Sequence, residues 1–301
     1  HFLHPVLEGI LQETYGVIVY QEQVLFIVRE FAGYSLGKAD IFRKAMGKKN
    51  PEVMKKEKAN FIEGAKKRGF SGELAEQVFA LIEPFAGYAF NKAHAASYAL
   101  IAYQTAYLKA NFPVEYMTAL LSVHAGVTEK ITTAISECRR LLIKVQPPDI
   151  NRSQANFSIE KDEHGVNAIR FGLTSIKNVG VGAIESVIAE RDKGGVFKSI
   201  EDLCRRCDLH NLNRRVMESL IKAGAFDALG SRGTLLNNVN EILSLAQREQ
   251  KSRDAGQTTM FDLWGAQVPA PLAKLNLTET EIAVKEKLTW EKELMGVYLS
   301  E

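Results

Sequence analysis

The chain has 301 residues, 46% of them hydrophobic and 25% charged, with a formal net charge of +2. That is an ordinary globular composition, long enough for two or three domains and a sizeable core. No apolar run reaches the ~18–20 residues of a membrane helix, since Gln104 and Lys109 interrupt the best candidate, and no membrane partner is expected.

Three cysteines, Cys138, Cys204 and Cys207, are too few for a disulfide scaffold and point to a reducing, cytoplasmic setting. Cys204-x-x-Cys207 with His210 nearby invites a zinc reading, but a structural site takes four ligands and no second pair follows. These cysteines read as packing residues, and no metal site is expected. The charge is uneven: Lys38 to Arg68 holds 11 Lys/Arg against 4 Asp/Glu. Such a run fits a solvated helix face, and equally a nucleic-acid or phosphate partner.

The elements are mainly helical. "HFLHPVLEGI" has no initiator Met, no basic leader and no cleavage site, and reads as a cut through a longer protein. From there to Lys49 apolar residues recur at helical spacing, punctuated by Gly16, Gly33, Gly37 and Gly47. Asn50 and Pro51 open a further helix and residues 71–88 hold another. "FAGYSLGKAD" at 31–40 is echoed by "FAGYAFNKAH" at 85–94. A long helix is expected over Ala95–Ala110, stopped before Pro113, and two more follow it. Turn signals between short alternating stretches mark a small β element near 143–172. Short helices resume to Gly230, one helix is expected over Ser231–Gln247, and residues 248–276 read as an exposed linker before a final helix over 278–296.

Two places carry chemistry. In "FGLTSIKNVGVGAIESVIAERDKGG" a helix is expected to end at Lys177, with a hairpin over Asn178–Gly182 and a second helix from Ala183. Glycine in the hairpin leaves backbone N–H groups uncovered at a helix N-terminus, where they can hold a phosphate oxygen. Such a helix–hairpin–helix grips DNA without reading its sequence; the plain alternative is a tight turn. A second, degenerate unit is read in "LNRRVMESLIKAGAFDALG", with Arg214-Arg215 just before it. At the other place, Lys92 and His94 sit in the first turn of the long helix with Asn91 as cap, and His94 and Tyr98 are i, i+4 neighbours. A lysine, a histidine and a helix N-terminus make a site for a polyanion, which the basic turn at Arg43-Lys44 could face.

"ETYGVIVYQEQV", "AGYSLGKADIFRKAMGKK", "FAGYAFNKAHAASYALIAYQTAYLKANFPVEYM", "PPDINRS", "FGLTSIKNVGVGAI", "ESLIKAGAFDALG" and "ELMGVYLSE" together resemble the C-family replicative DNA polymerases of bacteria over essentially the whole chain. The resemblance implies a mainly α, multidomain fragment. Its parts would be fingers at 1–125, a connecting helix and small β element at 126–169, and a tandem helix–hairpin–helix region at 170–232. A helix and linker at 233–284 and a lead-in to an oligonucleotide-binding fold at 285–301 would follow. It implies that Arg43, Lys44, Lys92 and His94 contact the triphosphate of an incoming dNTP. The family shows Arg-Arg where this chain has Arg43-Lys44, and lysine lacks the bidentate fork. It implies that Lys177, Asn178, Gly180, Gly182, Arg214 and Arg215 hold primer–template DNA. Gln257, Met260 and Phe261 resemble the motif by which such polymerases dock on the β sliding clamp, beside other subunits of the replicative holoenzyme. The catalytic aspartates and the Mg2+ they hold would lie in a palm outside this chain, leaving no catalytic residue and no cofactor here. Two rivals stand beside this reading: a non-catalytic DNA-binding module, and an enzyme using His94 as general base.

Overall fold

The computed structural model describes residues 2–47, 51–86, 89–208, 212–254 and 275–300, and among them are fourteen α-helices and one three-stranded sheet. The chain divides into two units, His1–Ala106 and Tyr107–Glu301. Among the described residues no helix is long and apolar enough to cross a membrane.

In the first unit, α1 (Pro5–Leu11) starts at His4, whose Nδ1 accepts from the Val6 N–H at 3.2 Å, with Pro5 at the first helical position. α2 (Gln21–Ala32) buries Val24, Ile27, Val28 and Phe31, a 3.6-residue stripe, and ends at Gly33. α3 (Leu36–Gly47), α4 (Pro51–Lys67) and α5 (Gly72–Ile82) follow, α5 capped by Ser71, whose Oγ accepts from the Leu74 N–H. Phe31, Phe42, Phe61 and Phe79 are buried at the centre, each worth about 1.5–3 kcal/mol of transfer free energy. Gly64 allows the close crossing of α4 on α2, since a Cβ there would lie 2.5 Å from the Ala32 carbonyl oxygen. α6 (Lys92–Asn111) begins three residues before its expected start, and none of its 20 residues is buried.

In the second unit, α7 (Pro113–Val123) and α8 (Thr128–Arg140) lead to β1 (Val145–Gln146), β2 (Ser158–Lys161) and β3 (Asn167–Arg170). The strand order is β1-β3-β2, with β1 parallel and β2 antiparallel to β3, Ile159 facing Ile169. This is the small β element expected near 143–172. α9 (Val181–Gly194), α10 (Ile200–Arg206), α11 (Arg214–Lys222), α12 (Arg232–Asn237), α13 (Val239–Asp254) and α14 (Val284–Met295) complete the unit. Phe171, Leu203, Leu220 and Phe226 lie in its core, and so do Cys138, Cys204 and Cys207. The cysteines are packing residues, as expected: burial pushes the Cys204 and Cys207 thiols up to about 12. His210 lies outside the described residues.

Several boundaries differ from the sequence expectation: α13 runs on to Asp254, into the stretch expected as linker, and at three others a side chain or carbonyl elsewhere takes up backbone hydrogen bonds. No helix ends at Lys177: a single 3-10 turn spans Leu173–Ser175, and the Lys177 N–H donates to the Leu294 carbonyl at 3.0 Å. The helix expected over Ser231–Gln247 is two, α12 and α13, broken at Asn238. That side chain donates to the Thr278 carbonyl and accepts from the Thr278 N–H, both at 3.0 Å. The same bonds hold residue 278 extended, so the last helix starts at Val284 rather than at Thr278.

Candidate nucleic-acid interface

Within the first unit Gln21, at the start of α2, joins Ala89 in the second of the echoed stretches to Arg43, three residues past the first. Tyr20 and Phe90 form a parallel β-bridge, with the Gln21 N–H donating to the Phe90 carbonyl at 2.8 Å. The Gln21 Nε2 donates to the Ala89 carbonyl at 2.9 Å, and its Oε1 accepts from Arg43 at 3.0 Å. Arg43 on α3 and the residues leading into α6 therefore share one surface.

The donors on that surface are already engaged. Arg43 reaches Asp40 through Nε and Nη2 at 3.1 and 2.8 Å, and Lys44 reaches the other Asp40 oxygen at 2.7 Å. Lys92 pairs with Glu13, and its ammonium lies 5.6 Å from the Tyr20 ring centroid. The hydrogen bond to Glu13 holds the Lys92 ammonium above its ordinary pKa, and those from Lys44 and Arg43 hold the Asp40 carboxyl below its own. At the mouth of α6 both Glu22 oxygens accept from the Lys92 N–H, at 3.2 and 3.1 Å. The Asn91 Oδ1 accepts from the His94 N–H at 2.9 Å, so Asn91 is the cap the sequence indicates. The His94 ring lies 4.5 Å from that of Tyr98. Arg43, Lys92 and the first turn of α6 are thus brought together, and Gln21, Glu13, Glu22 and Asp40 are members that sequence reasoning missed. For Gln21 and Glu22 the one signal was the stretch "VIVYQEQV", whose alternation runs straight into a helix; Glu13 and Asp40 lie outside it.

In the second unit the first hairpin is open to solvent. Asn178 adopts a left-handed conformation (φ 72°), and its Nδ2 donates to the Ser219 Oγ on α11 at 3.1 Å. Gly180 is the N-cap of α9, which begins at Val181 and not at Ala183, so Gly182 falls in the first helical turn. Lys177, Asn178, Gly180, Val181 and Gly182 are all exposed. The first-turn N–H groups of a helix lack the usual acceptor one turn earlier; here that of Ala183 donates to the Gly180 carbonyl at 3.3 Å, and a Cβ on Gly180 or Gly182 would meet nothing within 4 Å.

The second hairpin is built differently. Ala223, Gly224, Ala225 and Phe226 are buried. Gly224 sits at φ +85°, where a Cβ would lie 2.2 Å from the Arg232 guanidinium. Arg214 and Arg215 are the first residues of α11 rather than preceding it, and both are exposed. Arg214 bonds Glu218 at 2.7 Å and Asn240 at 3.0 Å. What this unit offers a phosphate is therefore its arginine pair, its turn being covered. Gln257, Met260 and Phe261 lie outside the described residues. No group of three or more His, Cys, Asp or Glu among the described residues is placed to hold a metal ion.

Two family models match parts of the chain, and relatives match nearly all of it. Residues 1–69 match the family model of the bacterial DNA polymerase III alpha subunit finger domain, and residues 142–235 that of the helix-hairpin-helix motif. The chain is 45% identical over 300 residues to the DNA polymerase III subunit alpha of Haemophilus influenzae, covering 99% of this chain and 26% of that one. It is 43% identical over 298 residues to that of Escherichia coli strain K12, covering 99% and 25%. To that of Thermus aquaticus it is 44% identical over 294 residues, covering 98% and 23%. The chain spans about a quarter of the length of the curated relatives it matches.

Proposed function

We propose, for a chain related along nearly its whole length to bacterial DNA polymerase III alpha subunits, that it is the nucleotide-contacting and DNA-gripping part of a replicative DNA polymerase. In that reaction a primer 3′-hydroxyl attacks a deoxynucleoside triphosphate and pyrophosphate leaves. Arg43, Lys44, Lys92 and His94 meet the triphosphate. Lys177, Asn178, Gly180, Gly182, Arg214 and Arg215 hold the primer–template duplex, and Gln257, Met260 and Phe261 tether the chain to a sliding clamp. Residues 1–125 are the fingers, 170–232 the duplex grip and 233–284 the tether. The Mg2+ ions that neutralise developing charge in phosphoryl transfer are assigned to carboxylates outside this chain, so the pure chain should incorporate no nucleotide.

The observation that supports the nucleotide reading best is the Gln21 bridge, which puts Arg43 and the mouth of α6 on one surface. A helix N-terminus and three cations on one face fit a polyphosphate. Amine labelling tests it. A dNTP should protect Lys92 against acylation, with Lys55 and Lys56 on α4 labelled as before. Equal labelling of Lys92 with and without dNTP would refute the reading and favour a DNA-binding module with no nucleotide site.

A further inference from the structure

Every nominated donor on the Gln21 surface, the His94 ring aside, carries a carboxylate. Asp40 spans Arg43 and Lys44, Glu13 takes the Lys92 ammonium, and Glu22 lies across the Lys92 N–H with both oxygens. These carboxylates come from three different places in the chain: the 3-10 turn at 12–14, the first turn of α2, and α3 itself. Glu13 and Glu22 reach Lys92 from 79 and 70 residues away. The fold brings Glu13 and Glu22 to Lys92, whereas Asp40 pairs with Arg43 and Lys44 locally along α3, at i+3 and i+4. Gln21 adds a cross-link without charge, bonded to the Ala89 carbonyl and to Arg43.

We infer that Glu13, Glu22 and Asp40 are resident counter-ions of the triphosphate site, set so that only a ligand with several linked anionic groups exchanges for all of them. The inference rests on the nucleotide reading above and adds what pairs its cations while the site is empty and keeps single anions off them. While the site is empty the three carboxylates keep Arg43, Lys44, Lys92 and the mouth of α6 converged and neutralised. A single phosphate gains no more from one cation than the carboxylate it displaces, since both are oxyanions making the same charge-assisted bonds. A triphosphate replaces three separate contacts with one molecule, so its later contacts form at the high effective concentration of a tethered group. Exposed ion pairs are individually weak, so this exchange is open to a polyphosphate. The Gln21 bonds involve no carboxylate and hold the surface together as the anions change places.

The test titrates the whole chain with inorganic tripolyphosphate and, separately, orthophosphate at constant ionic strength. The wild type is compared with a Glu13→Gln, Glu22→Gln, Asp40→Asn variant, with Lys92→Ala, and with Glu73→Gln as a control on α5. The triple carboxamide should gain orthophosphate affinity by about five-fold for each site opened. Tripolyphosphate, which displaces all three carboxylates, should gain by roughly the product of those factors, so its preference over orthophosphate should rise by roughly tenfold or more, with the control unchanged. Glu13→Gln alone should also speed acylation of Lys92, because the pairing that holds its proton is gone; this readout needs no ligand. If Lys92→Ala weakens tripolyphosphate binding and the carboxamides leave the preference intact, the site stands and the counter-ion role is overturned. If Lys92→Ala changes nothing, the nucleotide reading itself fails. A gain as large in Glu73→Gln would mean a general field effect and would also overturn the inference.

Discussion

Gly180 and Gly182 separate what the fold needs from what a ligand needs. Gly180 lies at φ −90°, ψ 159°, and Gly182 is in the first turn of α9; neither has the positive φ that demands glycine. A Cβ built on either meets nothing within 4 Å. The fold therefore has no use for glycine at either position. In Gly182→Ala the helix gains about 0.5–1 kcal/mol, the cost glycine carries in a helix relative to alanine. A domain of this size melts roughly 2–4 °C higher per kcal/mol, so the second unit should gain roughly 1–4 °C. Gly180→Ala gives some of that back, because alanine is a poorer N-cap than glycine.

DNA binding should move the other way. A hydrogen bond from a backbone N–H to a phosphate is charge-assisted and worth about 1.5–3 kcal/mol, so each one blocked by a methyl group costs roughly 10–100-fold in Kd. The assay is fluorescence anisotropy with a primer–template duplex at fixed salt, run beside thermal unfolding on the same preparations. Because phosphate contacts carry no sequence information, the loss should be the same on duplexes of unrelated sequence. Alanine variants that melt as high as the wild type and bind duplex as tightly would refute the assignment of this hairpin to the DNA backbone.

The other expectations concern the second unit. Arg232 and Glu291 form an ion pair at 2.8 Å with 4% and 0% exposure; Glu291→Ala leaves the buried guanidinium with Asp227 as its remaining carboxylate and should destabilise the unit by about 1.5–3 kcal/mol, the worth of a hydrogen bond to a charged group, read by urea unfolding. Acid should act through the same residue. Burial pushes the Glu291 carboxyl up, but hydrogen bonds from Ser300, Leu299 and Arg232 outweigh it and hold the pKa below 4.5; Arg140 and then Lys109 hold that of Glu137 down at about 2. Depressed carboxylates contribute stability above the unfolded pKa and lose it as pH falls through the folded one, so the midpoint should drop between about pH 4.5 and 2 and stay level above. In the linker, Gln257→Ala with Phe261→Ala should abolish saturable binding to a bacterial sliding clamp, and binding unchanged in the variant would return both residues to packing roles.

What was legible in the sequence was local. The apolar stripes of α2 and α5, Asn91 as the cap of α6, the i, i+4 contact of His94 with Tyr98 and the first hairpin's open glycines all follow from spacing within one or two turns. What was not legible came from distant partners. No periodicity shows that Asn238 will pair with the backbone of Thr278, 40 residues on, and split one helix in two. The second hairpin looks like the first by composition, and it differs because Arg232 reaches over Gly224 to Asp227, Glu291 and Ser300. Arg232 is the plug of that turn.

The charge excess between Lys38 and Arg68 shows the same limit. On α4, Lys55, Lys56, Lys66 and Lys67 are exposed while Phe61 and Ala65 are buried, the two faces of an ordinary amphipathic helix. Such a face adds a long-range field that raises encounter rates with a polyanion and falls away with salt, but nothing in it converges on a ligand. The cations proposed to meet the ligand, Arg43 and Lys92, sit among carboxylates and contribute little net charge. Counting charge therefore finds the surface that attracts and misses the surface that fits. On the proposed reading, steering by α4 and fitting by the Gln21 cluster are separate jobs, and salt should weaken the first far more than it weakens the short, geometrically fixed contacts of the second.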